Sequence, residues 1–139
     1  METSAVKKRL TQTIEHAKKA AADRRARSDE AGKAFATLLS TMAIPLFRQV
    51  GNILKAEGYA FSLFTPSGSV RLMSDRSAED FIELSLDSSG ETPQVFGHVS
   101  RMRGRRVVES ERAIGAPETL NEDALLDFLA KELEAFVER

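Results

Sequence analysis

A chain of 139 residues suits a single domain and can bury a core without covalent staples. Its 42% apolar and 29% charged residues are ordinary globular values, and a formal net charge of −1 names no partner by itself. The chain has no cysteine, which excludes a disulfide framework, a thiol nucleophile and a thiolate metal site, and no apolar run approaches the ~20 residues that span a bilayer. Lys7, Lys8 and Arg9 are followed by no apolar segment, so no secretory signal is expected. The chain reads as cytoplasmic, with no membrane partner.

Charge is distributed unevenly. Residues 1–34 carry nine Lys/Arg and five Asp/Glu, whereas residues 116–139 carry Lys131 and Arg139 against seven acids. The two ends are therefore oppositely charged. This is the pattern of solvated helix faces, or of contact between the ends, within or between chains.

The first zone, residues 3 to about 57, reads as helical. From Val6 to Ala34 the residues are mostly strong helix formers, with a narrow apolar stripe at Val6, Leu10, Ile14, Ala17 and Ala21. So polar a helix is not a core helix. Ser28 followed by Asp29 and Glu30 resembles a cap, and a break is expected there. A second, more apolar helix follows, with Phe35, Leu38, Leu39, Met42, Leu46, Phe47, Val50, Ile53 and Leu54 at helical spacing. Pro45 should kink or restart it, and Gly58 should end it.

From residue 60 to about 113 the period changes to two. Phe61 and Leu63, Val70 and Leu72, Ile82 with Leu84 and Leu86, Val95 with Gly97 and Val99, and Val107–Glu109 mark five strands. Short turns at Pro66-Ser67-Gly68, Asp87–Gly90 and Gly104 imply an antiparallel meander with one apolar face. The last zone is a helix with a broad stripe at Leu125, Leu126, Phe128, Leu129, Leu133, Phe136 and Val137. Thr119 with Glu122 has capping-box spacing, and Asn121 is the rival cap. The expected fold is α+β. Its N-terminal helices form a long element kinked near Pro45, followed by a five-stranded antiparallel meander and a C-terminal helix packed on the sheet in two layers. Residues 1–34 are expected as a polar helical extension and 35–139 as one domain.

No catalytic, phosphate-binding or metal motif is present, and no cofactor is expected. His16 lies on the polar helix. His98 lies in the fourth strand, on the face shared by Phe96, Ser100 and Met102, where a histidine with a hydrogen-bond partner is commoner than a general base. Asp75, Glu79, Asp80 and Glu83 gather around Arg76, but among polar neighbours they read as a solvated loop.

The sharpest feature is Arg101-Met102-Arg103-Gly104-Arg105-Arg106, four arginines around a hairpin glycine. Guanidinium groups on a β-ribbon can grip phosphates bidentately, so Arg101, Arg103, Arg105 and Arg106 are candidates for binding nucleic acid or an acidic partner. Charged edge strands also guard against edge pairing. No aromatic stacking platform is evident. The two amphipathic helices offer an oligomer surface, with Val6, Leu10, Ile14, Phe35, Leu39 and Met42 as candidates, most simply for a homodimer. The leading expectation is a non-catalytic protein–protein interaction module, a small homo-oligomeric adaptor or accessory subunit. A nucleic-acid-binding protein using the arginine hairpin is the alternative, and a small-molecule-binding domain on the open sheet face, using His98, is the third.

Overall fold

The computed structural model describes residues 1–138. It opens with one long helix, α1 (Thr3–Leu38), which a π-helical turn over Leu39–Ala43 joins to α2 (Ile44–Ala56). Five strands follow: β1 (Phe61–Phe64), β2 (Val70–Ser74), β3 (Phe81–Asp87), β4 (Gln94–Arg103) and β5 (Arg106–Gly115). Helix α3 (Glu122–Val137) completes the α+β fold. The strands lie in sequence order, each antiparallel to its neighbour, which is the meander expected from the turn residues.

The break expected near Ser28 is absent, because α1 runs through it. A cap needs extended backbone at the capping residue. Strong helix formers on both sides, Arg24, Arg25 and Ala26 before and Glu30 and Ala31 after, hold Ser28 in the helix instead. The disturbance expected at Pro45 lies one turn earlier. Pro45 sits in the first turn of α2, and the backbone just before it widens so that the Ile44 N–H reaches the Leu39 carbonyl, an i to i−5 bond. The wider turn lets the proline ring clear the carbonyl it would strike in a regular helix. At its far end α2 closes in a Schellman motif. Gly58 takes a φ of +93°, Tyr59 donates to the Leu54 carbonyl at 2.8 Å and Gly58 to Lys55 at 3.1 Å.

Cross-strand partners share a face. The rows Leu63–Leu72–Ile82–Val99 and Val70–Leu84–Gly97 therefore lie on the same side of the sheet. The end of α1, α2 and α3 pack on that side. Phe35, Leu38, Leu39, Phe47, Leu125, Phe128 and Leu129 join the strand residues in one core. Each large apolar side chain buried this way contributes about 1.5–3 kcal/mol. Phe128 sits directly on the bare backbone of Gly97, where an added Cβ would lie 2.4 Å from the ring. Phe136 meets Phe61 edge to face at 5.8 Å, which carries α3 across to the far edge of the sheet. Asn121 caps α3, accepting the Ala124 N–H at 2.8 Å, and so prevails over Thr119.

Candidate interaction surfaces

The first half of α1 stands clear of the domain. Every residue from Met1 to Lys19 is exposed, contact begins at Ala20 and Ala21, and Ala31 is the first buried residue. At 1.5 Å per residue the exposed helical stretch Thr3–Lys19 is about 25 Å long. Within it Val6, Leu10 and Ile14 are 39%, 57% and 53% exposed. The remaining oligomer candidates lie elsewhere. Phe35 and Leu39 are buried in the chain's own core, and Met42 packs half-buried against it. These three belong to the chain's own core because their stripe continues into the domain. Residue 34, the expected end of the polar extension, lies within the continuous α1.

The arginine hairpin is a longer ribbon than its apolar residues suggest. Arg103 pairs with Arg106 across a two-residue turn, Gly104-Arg105, and Gly104 supplies the positive φ of +67° that a type II′ turn needs first. The register puts Arg101, Arg103 and Arg106 on one face of the ribbon, the face continuous with Val99 and Ser110, and leaves Arg105 in the turn. Met102 and Val107 take the other face. The ribbon overhangs the end of α3, where Arg101 and Arg103 line a cleft of about 450 Å³ with Ala135 and Glu138. Among the described residues none of the four arginines makes an ion pair. Arg101 and Arg103 lie beside the negative end of α3, a position where cations favour a helix terminus.

The sheet face away from the helices is polar but ordered. Arg71 holds Glu83 through two bonds, Nε to Oε1 at 3.2 Å and Nη2 to Oε2 at 3.3 Å, and its guanidinium lies 4.1 Å from the centre of the Phe81 ring. His98 meets the same ring edge to face at 5.2 Å, and its Nε2 lies 3.4 Å from Glu109. Phe81 is thus buried on the open face by polar neighbours. His98 takes the face expected from the pleat. Ser100 shares that face and is fully buried, but no hydrogen bond links it to His98, so no nucleophile–base pair forms.

The carboxylates expected as one solvated cluster are dispersed. Asp80 is buried and accepts the Met102 N–H at 2.7 Å, tying the start of β3 to the end of β4. Glu83 belongs to Arg71 and Ser69, while Asp75 accepts from Ser62. The sequence spacing hid this because the partners come from other strands. At the β3–β4 turn Asp87 accepts from the Ser89 hydroxyl at 2.6 Å and the Ser89 N–H at 2.9 Å, and these two bonds hold its carboxyl below the ordinary aspartate range. Among the described residues no group of three metal-binding side chains occurs and no helix is long and apolar enough to cross a membrane. No family model, curated protein or solved structure matches the chain.

Proposed function

We propose that this chain is a non-catalytic interaction module, a small self-associating adaptor or accessory subunit that uses the projecting half of α1 as its coupling arm. The observation that carries this reading is the arm itself. Helices gain most of their stability in water from packing an apolar face, and a short isolated helix is marginal. The arm packs against nothing, yet presents Val6, Leu10 and Ile14 in a stripe. A partner that covers this stripe supplies the missing packing.

Sedimentation equilibrium of the full chain tests the reading. A concentration-dependent dimer is expected, and the variant Leu10→Asp/Ile14→Asp should weaken it roughly 100-fold, because two buried apolar side chains are lost. A protein that stays monomeric at every concentration would remove the proposal.

A second reading rests on the hairpin. Three guanidinium groups on one ribbon face, without ion pairs, suit phosphate oxygens. Fluorescence anisotropy with labelled single- and double-stranded DNA and RNA, at low and physiological salt, tests it. Binding by the wild type that disappears when Arg101, Arg103, Arg105 and Arg106 are all changed to Glu would establish a nucleic-acid role. Absence of binding at low salt would leave the arginines to α3 and to acidic protein surfaces.

A further inference from the structure

The charges on the arm restrict what can lie against it. Lys7, Leu10, Ile14 and Lys18 form one row along α1, about 17 Å long at 1.5 Å per residue. The same stripe runs on through Ala17, Ala21, Arg24 and Ser28 to the buried Ala31 and Phe35. Every charge along it is basic. Two arms zipped together, parallel or antiparallel, would set Lys7 and Lys18 against basic residues of the other arm, which disfavours a simple coiled coil of arms. The stripe calls for an acidic helix with apolar residues at matching intervals.

The chain itself carries one. On the outer side of α3, Asp123, Leu126, Ala130 and Glu134 are all exposed, Leu126 by 45%. They fall at the same intervals as Lys7, Leu10, Ile14 and Lys18. Each row reads charge, two apolar side chains, charge, and the signs are reversed. Whichever way the two helices run, opposite charges meet at both ends and apolar groups meet between them. The lengths agree as well, since the 16 residues of α3 span about 24 Å against about 25 Å for the arm. Asp127 adds to the negative potential of that face, and Lys131 is the one base on α3 itself among the described residues.

The arm does not reach its own α3. Helix α1 is continuous, so Leu10 lies about 42 Å along the axis from Leu38, where the helix is anchored in the core. We infer that the arm of one copy docks along the outer face of α3 of a second copy. The exchange is mutual and closes as a two-fold pair. This inference rests on the self-association reading and gives it a defined surface.

Sedimentation velocity on full-length chains tests it. The variants Lys7→Glu/Lys18→Glu and Asp123→Lys/Glu134→Lys should each weaken the dimer by roughly tenfold or more, because attraction becomes repulsion at the same contacts. The four changes combined should restore it. Circular dichroism checks that each variant is folded.

A second measurement uses the absence of native cysteine. Leu10→Cys chains mixed with Leu126→Cys or with Ala130→Cys chains, the partners of Leu10 when the helices run parallel or antiparallel, should oxidise mainly to the mixed disulfide in one of the two mixtures. A dimer that ignores the α3 reversal, or Leu10→Cys chains that cross-link chiefly to each other, would overturn the docking while leaving self-association intact. A wild type that is monomeric throughout would overturn both.

Discussion

Phe128 and Gly97 illustrate how one missing side chain decides a packing arrangement. The ring of Phe128 rests where a Cβ would stand, so no larger residue fits without moving the ring or α3. Gly97→Val should therefore destabilise the fold by about 1–3 kcal/mol, the usual cost of overpacking, read as a lower urea midpoint with an unchanged slope. Asp87 makes a smaller, electrostatic statement. Its two bonds from Ser89 favour the charged carboxylate, so its folded value lies below its unfolded one. The contribution of this turn is present above the ordinary aspartate range and fades as pH falls through the lowered value. An NMR titration should place the Asp87 midpoint below that of an unstructured aspartate, and Ser89→Ala should move it upward.

At the level of elements, most of the architecture was legible. Period-two alternation located all five strands, and the 3.6-residue stripes located the helices, because each element buries one face and patterns its residues to match. What the sequence left hidden depends on partners far away in the chain. The fifth strand was expected only over Val107–Glu109, since Ser110, Glu111 and Arg112 carry no apolar alternation. They are strand because β4 pairs with them, and Arg112 is placed over the Phe128 ring at 5.5 Å and 3.4 Å from Glu132 of α3. Phe81 lies outside the apolar alternation of its own strand, and only the register brings Arg71 and His98 over it. Ser28 misled for the opposite reason, a local cap signal overruled by its helical neighbours. The choice between Thr119 and Asn121 was likewise undecided by spacing. Asn121→Ala should cost α3 about 0.5–2 kcal/mol in chemical denaturation, whereas Thr119→Ala should cost little.

For the whole molecule, the separation of charge acquires a geometry. The basic segment is a rod whose first half lies outside the domain, and the acidic segment carries a helix whose inner side is committed to the core. The sheet offers poor routes to association by comparison. One edge, β1, is four residues long, and the other, β5, bears Arg106, Glu109, Glu111 and Arg112, charges that discourage strand addition. Of the six residues expected to serve an oligomer surface, Val6, Leu10 and Ile14 remain available, and the fold itself uses the others. The arm was legible as a polar helix. Where it leaves the domain was not, because nothing local marks that point on a continuous helix.

A single unbroken helix that is half inside and half outside a domain joins two regimes of protection in one hydrogen-bonded ladder. Amides between Ala31 and Leu38 are locked by the core and should exchange with solvent deuterium only through opening of the domain. Amides before Lys19 have no such lock in the isolated chain and should exchange far faster, with a graded boundary near Ala20 and Ala21. Mass spectrometry across a dilution series would then read the arm as a gauge of occupancy, fast-exchanging when alone and slowed in proportion to the fraction of chains whose arm is covered.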